Sequence, residues 1–387
     1  MALTDAQLEQ AMLRGQFGQI EYRYRLWKSN NVGDHLQEIE SVEEASFSLN
    51  NMRDHTWELD LPLDVVDYFD IWGDWVKLEV QMRTGAGLYG GEQVITRPFG
   101  LYYFDERAGE DSPERRKWDL GGKSPEGRLM GSTAELGYSV LPGTSILQNV
   151  RNLLIAQGVP ASMILFPPAS DDVQMGTTTH FDPFNNATDT RWLRIANTVL
   201  AAGGFLALFA DNYGRICTRK INPSNRIEPS HTYGTTPESD RIISSESIGY
   251  SYDDQNFANR VVVYSGDPSE AASYGVAENH DPNSRVSYER LGYWVQKDPI
   301  ELPSLVSPSE AQAVALQALR LASGMNLKLN FETGFDTRIA PRQAYGLEVF
   351  SDAGEAIWTS QVWPVLNVSA SLNLSPMRHE VQIGVSL

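Results

Sequence analysis

The sequence predicts an α+β fold that is mainly β, and three observations predict it. The first part of the chain repeats short alternating strands between turn residues. The middle carries two amphipathic helices. After about Ser245 the strands return around one well-capped helix.

The elements follow in order. Thr4-Asp5-Ala6-Gln7 is a capping box for a short helix to about Arg14. Gln19 to Lys28 alternates around Ile20, Tyr22, Tyr24 and Leu26. Leu36 to Leu49, Thr56 to Leu61, Trp75 to Arg83 and Val94 to Asp105 do the same between Gly, Asn and Asp clusters. Such regular short strands suggest a barrel or sandwich. Ser112 to Gly131 is polar, with one strand near Arg116 to Leu120.

The character changes after Leu141-Pro142-Gly143. Thr144 or Ser145 caps a helix with Ile146, Val150, Leu153 and Leu154 on one face, ended by Gly158 and Pro160. Met163 to Phe166 reads as a strand. Trp192, Ile195, Ala196, Val199 and Leu200 mark one face of a second helix, which Gly203 and Gly204 stop. Phe205 to Ala210 is a short apolar strand, Asp211-Asn212-Tyr213-Gly214 a turn, and Arg215 opens its hairpin partner. Arg219 to Arg241 is rich in Pro, Asn, Ser and Thr and reads as a long connection.

Asn259 to Tyr264 is a strand, Ser265 to Ser284 a polar loop, and Tyr288 to Lys297 another strand. Ser307-Pro308-Ser309-Glu310 is a capping box with proline at the first helical position. The helix runs to Ser323 with Val314, Ala318, Leu321 and Ala322 inward, and Gly324 stops it. Leu327 to Phe331, Ala344 to Phe350, Ala356 to Val365 and His379 to Val385 are strands, with a hairpin turn at Asp352 to Glu355. The expected units are residues 1–135, 136–245 and 246–387. The first and last share a strand-rich texture that suggests two copies of one fold.

Bulk properties narrow the function. The 387 residues hold 41% hydrophobic and 21% charged side chains, an ordinary folded composition, and a net charge of −19. That charge repels phosphate backbones and anionic membranes, so specific nucleic-acid binding and direct membrane insertion are not expected. DNA sliding past an acidic wall is compatible with it. One cysteine, Cys217, allows no disulfide framework or zinc cluster within the chain, and its place in a strand marks it as a small core residue. The start lacks a basic, apolar signal pattern, and no run approaches the ~20 apolar residues of a membrane helix, so a soluble chain is expected.

The candidate chemical motifs are weak. Gly85 to Gly90 fits the letters of a dinucleotide fingerprint. A strand follows it, however, where a helix N-terminus would have to hold pyrophosphate, so it reads as a hairpin loop. Gly121-Gly-Lys-Ser124 imitates the end of a phosphate loop, but Lys117 stands where the first glycine belongs and Pro125 follows at once, so it reads as a polar turn. Asp64, Asp67, Asp70 and Asp74 place Phe69 where a calcium loop needs glycine; the reading is an edge with carboxylates in water and the aromatics Tyr68, Phe69 and Trp72 packed inward. His35, His55, His180, His231, His280 and His379 are isolated in sequence, with no metal-binding spacing. No catalytic, cofactor-binding or metal-ligating residue and no cofactor is therefore expected.

Several segments, in the same order, resemble hub or minor tail proteins of siphophages and actinobacteriophages. They are Trp57-Glu58-Leu59, Arg97-Pro98-Phe99-Gly100-Leu101-Tyr102, Ser145 to Leu154, the module from Asp189 to Arg215 with its Asp-x-x-Gly-Arg turn, Asn259 to Val263, Gly275 to Pro282, and the helix from Pro308 to Ser323 with the closing strands. The resemblance implies residues 1–135 and 246–387 as two tube-forming, barrel-like hub β-domains and 136–245 as an inserted α+β domain. It implies a homotrimer whose six barrels form a pseudo-sixfold ring at the tail tip, matching the sixfold tube above and threefold fibres below. Each domain would hide its strand edges against the next subunit. The partners implied are a distal tail protein or tail tube ring, the tape measure protein, and central tip or fibre proteins. DNA would pass through the channel without specific binding, and the acidic excess would line part of that channel. The protein would be made in the bacterial host cytoplasm and reside in the virion tail tip or baseplate. Members with lytic extensions exist; this chain stops at Leu387 just after a strand, and a non-enzymatic role is expected. Two rivals remain. A carbohydrate-binding receptor module would expose clustered aromatics from the nine tryptophans and sixteen tyrosines. A cell-wall glycosidase would set two carboxylates across a cleft.

Overall fold

A computed structural model describes residues 20–382 except 40–44, 52–54, 65–68, 71, 85–92, 112–115, 135–136, 177, 182–188, 221–228, 236–239, 242–247, 254–256, 266–272, 283, 285, 297, 303–307, 323–325, 351–355, 359–361 and 373–375. The expected helix to Arg14, the loop at Gly85 to Gly90 and the turn at Asp352 to Glu355 lie outside the described residues. The architecture is mainly β with a minority of helix.

The first part supplies β1 (Ile20–Ser29), β2 (His35–Ile39), β3 (Ser46–Asn50), β4 (Trp57–Asp64), β5 (Trp75–Thr84), β6 (Gln93–Asp111) and β7 (Arg116–Lys123). Neighbours pair antiparallel in the order β3-β4-β7-β6-β5-β1-β2. Strict alternation holds where one face is buried: Phe47 and Leu49 on β3, Leu59, Leu61 and Leu63 on β4, and Val76, Leu78 and Val80 on β5 all point inward. β6 runs far past its expected end at Asp105, because its first half pairs with β5 and its second half with β7. Register shifts at Lys77/Glu79 and Phe104/Glu106 bend it from one ladder into the other.

The middle part holds β8 (Tyr138–Val140), α1 (Ile146–Ala156), β9 (Ile164–Leu165), β10 (Thr179–Phe181), α2 (Trp192–Ala202), β11 (Phe209–Ala210) and β12 (Ile216–Cys217). Ser145 caps α1, its Oγ accepting from Gln148 N at 2.9 Å, while Asp172 accepts from Leu147 N at 3.1 Å and also accepts a hydrogen bond from the Ser145 hydroxyl. Ile146, Val150, Leu153 and Leu154 of α1 pack with Leu193, Ile195, Ala196, Val199 and Leu200 of α2 in one cluster. Trp192 sits half-buried at the edge of this cluster and Leu193 takes the inward place. The expected strand Phe205–Ala210 shortens to its last two residues. Phe205 instead makes a single bridge to Lys220, and Leu208 N bonds the Asn197 side chain.

The last part contains β13 (His231–Gly234), β14 (Asp240–Arg241), β15 (Gly249–Asp253), β16 (Arg260–Ser265), β17 (Tyr274–Glu278), α3 (Tyr288–Leu291), β18 (Ile300–Leu302), α4 (Pro308–Ala322), β19 (Asn326–Thr333), β20 (Ala344–Phe350), β21 (Ala356–Trp358), β22 (Val362–Ser371) and β23 (Met377–Gln382). Three expectations need correction. The connection from Arg219 to Arg241 contains β13 and β14, and β13 runs parallel to β20 with Tyr233 fully enclosed. The polar loop from Ser265 contains β17, paired antiparallel with β16. The expected strand from Tyr288 begins as the helical turn α3, which Gly292 ends in the left-handed region at φ 74°. Each is a short element stabilised by a distant partner strand or by one glycine, which local alternation does not register.

β22 is the pivot of the molecule. It pairs with β20, then with β23, and then with β3, so strands from both ends of the chain lie in one sheet. A single cluster of buried side chains accordingly runs from Leu26 and Trp57 to Tyr345 and Val381. The hairpin tip of the middle part wedges between the two: Gly100 N donates to Asn212 O, and Asn212 Nδ2 donates to Ile339 O at 2.6 Å. Gly214, at φ +80°, lies so close that a Cβ there would stand 2.3 Å from the Leu101 Cβ.

A smaller unit forms beside this core. α4 lays Ala311, Ala315 and Leu319 on β16 and β17, a stripe one position away from the expected Val314 and Ala318, which are half-buried. The small side chains allow close approach, and Gly275 completes it, since a Cβ there would lie 2.4 Å from the Ala311 carbonyl. Gln312 hydrogen-bonds both the N–H and the C=O of Val276, so a helix side chain satisfies strand backbone. Gly275→Ala is expected to lower stability by about 2 kcal/mol or more, read as a shift in denaturant midpoint, because the obstacle is backbone.

Candidate functional site

A cleft of about 1040 Å³ opens between the β-sheet and the middle part. Its floor is Trp75, Tyr103, Val159 and Met163, packed on Leu101. Trp75 opens β5, and Tyr103 follows the inward Tyr102 on β6, so Tyr103 faces the side of the sheet away from the core. The rings of Trp75 and Tyr103 lie 5.7 Å apart. Burial pushes the Tyr103 phenol well above its usual range, so it enters the cleft as a neutral hydroxyl.

One wall is the 3-10 turn Pro125–Met130. Glu126 anchors it from beneath: its carboxylate accepts from Thr56 N at 2.7 Å and from the Ser124 hydroxyl at 2.8 Å. Ser124 Oγ accepts in turn from Thr56 N and Trp57 N. Arg128 stands on this fixed turn with its guanidinium 5.5 Å from the Trp75 ring. Lys123 at the rim is held by Asp105 at 2.8 Å and Glu106 at 3.2 Å.

A second constellation lies inside the sheet. Tyr233 donates to Asp336 at 2.7 Å, and Arg338 grips the same carboxylate through Nε at 3.0 Å and Nη2 at 2.6 Å. His379 contacts Thr333 Oγ1 through Nε2 at 2.7 Å, and its ring stacks on Phe331 at 4.9 Å. Tyr233 also meets Tyr345 at 4.9 Å and His379 at 5.3 Å. Burial opposes the Asp336 charge, but Arg338 prevails and holds its carboxyl down at about 2. Burial pushes the His379 imidazole down to about 4, so it is neutral at pH 7. Asp336 and His379 are each about 2% exposed, so no substrate reaches them and the group acts as a polar core.

The sequence candidates fall in separate places. Gly121-Gly-Lys-Ser124 is the end of β7, opposite Asp60 and Glu106, where a polar turn was expected; its backbone is spent on strand ladders and offers no cradle for phosphate. Of the aspartates, Asp67 lies outside the described residues. Asp70 and Asp74 close a turn on each other's backbone, and Asp74 pairs with Lys28 at 2.7 Å. Phe69 packs inward, but Trp72 is 74% exposed beneath the Arg107 guanidinium, a correction to its expected inward place. His35 stacks on Trp27, His55 pairs with Glu58, His180 meets Ser139, and His280 lies between Glu278 and Glu289. His231 and His379, far apart in sequence, both contact Tyr233. Among the described residues no group of three or more His, Cys, Asp or Glu side chains is placed to hold a metal ion, and no helix is long and apolar enough to cross a membrane.

Cys217 is buried on β12, and burial raises its thiol to about 12. A thiol reagent at pH 7.5 is expected to label the native protein slowly and the urea-unfolded protein at once.

The cleft residues Trp75, Tyr103 and Arg128 were not legible as a group. The only signal was the doublet Tyr102-Tyr103, where two adjacent aromatics on one strand must face opposite sides of the sheet.

No family model matches the chain, and no curated protein matches it. Solved structures do. A tail protein from Neisseria meningitidis superposes with a TM-score of 0.59 at 12% identity, over 94% of this chain and 96% of that one. The 43 kDa tail protein of prophage MuSo2 from Shewanella oneidensis gives 0.59 at 8% identity, over 94% and 98%. A prophage tail protein from Listeria monocytogenes gives 0.52 at 7% identity, over 94% and 95%. The chain thus has the fold of these phage tail proteins along nearly its whole length.

Proposed function

We propose that the chain is a structural, non-enzymatic component of a phage-type tail and serves as the hub of the tail tip. The observation that carries this reading is the fold shared with tail proteins of three bacteria over 94% of the chain. In this reading residues 1–135 and 246–387 are the two tube-forming units and 136–245 is the insert that faces neighbouring baseplate parts. Three copies close a ring that presents six similar β-units to the tube above and threefold symmetry to the fibre below.

The sheet supports closure of this sort, because its main path ends on β2 and β14, and an unpaired edge is satisfied by the next subunit in a cycle. The distal tail protein or tube ring, the tape measure protein and the central tip proteins are the partners. The virion tail tip is the location. The net charge of −19 suits a channel wall along which DNA slides without binding.

The test is light scattering after size exclusion. Three chains of 43.1 kDa each should elute as one particle of about 129 kDa, and negative-stain images should show a ring. A particle of any other size, both alone and with the distal tail protein of the same phage, would overturn the hub reading.

A further inference from the structure

The cleft beside Trp75 has features that the hub reading does not use. The chain carries 50 acidic and 31 basic residues, and three of the basic ones stand along the cleft. Among the described residues Lys123, Arg128 and Arg194 line it together with the carboxylate of Asp105. Lys123 is neutralised by Asp105 and Glu106, and Arg194 reaches toward Asp189 at 3.7 Å. Arg128 is exposed, has no ion-pair partner among the described residues, and lies over the Trp75 ring. Burial dominates the Tyr103 phenol; the charges of Asp105, Glu126 and Arg128 also reach it, Arg128 least. The floor beneath it is aromatic and aliphatic.

We propose that this cleft is a docking site for an acidic, apolar polypeptide segment of another protein. An aliphatic or aromatic side chain of the segment seats on Trp75, Tyr103 and Met163, and a neighbouring carboxylate pairs with Arg128. Charge complementarity selects the occupant. A nucleic acid meets long-range repulsion from the acidic surface, whereas a short segment brings one or two carboxylates to Arg128. The volume of about 1040 Å³ exceeds that of a single side chain and suits several consecutive residues. The turn that presents Arg128 is fixed by Glu126 and Ser124, so little ordering accompanies binding. The cleft joins the sheet to the middle part, so an occupant touches both.

This inference stands on the cleft and not on ring formation, and the two fail separately. A randomised linear peptide library is panned against the full chain, and an enriched peptide is titrated by fluorescence polarisation. The expected consensus places Asp or Glu next to Leu, Phe or Trp. Arg128→Glu is expected to weaken that peptide at least about tenfold, and a peptide with Lys in place of the acid should regain binding to it. Arg378→Glu, an exposed change elsewhere, should leave affinity unaltered. Arg128→Gln, melted in parallel, separates lost binding from lost folding. No enrichment, a consensus without an acid, or equal binding by Arg128→Glu would overturn the proposal. So would a single-stranded oligonucleotide that binds in an Arg128-dependent way and displaces the peptide.

Discussion

Acidification from pH 6.5 to pH 4 is expected to remove about 3 kcal/mol of folding stability through His379 alone. In the unfolded chain this imidazole takes up its proton near pH 6.5, whereas in the folded protein burial delays it to about 4. The unfolded state therefore binds more protons throughout that window, and stability falls as pH falls. The contribution is complete above pH 6.5 and gone below about 4. The sign is set by burial, which opposes the protonated form, is aided by His231 and outweighs the attraction of Asp336. Asp336 extends the loss, since its carboxyl is held at about 2 against 3.8 in the free side chain, so its share disappears between those values. His379→Phe keeps the stacking on Phe331 and gives up the contact to Thr333. Urea midpoints measured from pH 7 to pH 4 should slope for the wild type and flatten for this variant. Equal slopes would show that the acid sensitivity lies elsewhere.

Trp57→Ala is expected to cost about 3–5 kcal/mol, the range for emptying a large aromatic site in a packed core. Trp57 is fully buried and packs with Phe47 at 6.3 Å and Phe99 at 6.1 Å between ring centroids. Both of those rings touch Phe335, which belongs to the other end of the chain. The loss should therefore loosen β19 and β22 together with β4, visible as faster amide exchange in both parts. Protection lost only near β4 would mean that the two ends do not share one cooperative core. Trp57→Phe should be far milder, because the indole Nε1 has no hydrogen-bond partner among the described residues to forfeit.

The two expectations differ in what the sequence could announce. Trp57 heads a run that alternates Trp-Glu-Leu-Asp-Leu, and that alternation alone marks its face as the inward one. The Asp336 constellation carries no such mark. Asp336, Arg338, His231, Tyr233 and His379 come from a loop and two strands spread between positions 231 and 379, and none sits in a motif. β13 illustrates the same limit: His-Thr-Tyr-Gly has no strand pattern, and the parallel ladder to β20 is what makes it a strand. The helices behaved differently. α1, α2 and α4 were legible to within a residue or two, because capping, periodicity and terminal glycines are local signals. Even there the inward stripe of α4 was displaced by one position, because the close approach at Gly275 sets the rotation of the helix.

The cleft depends wholly on assembly. Trp75, Tyr103, Arg128 and Met163 lie on four different elements, and only the packing of the middle part against the sheet brings them to one wall and floor.

By itself the amino-acid order determined the mainly-β class, the longer alternating strands, the helices α1, α2 and α4 and the acidic balance, since each arises from residues within a few positions of one another or from simple totals. The tertiary structure alone decided that β22 joins β3, that both ends of the chain share one buried core, and that a cleft opens between the sheet and the middle part. The reason is that strand partners and cleft walls are chosen by long-range burial and hydrogen bonding, which no local pattern encodes.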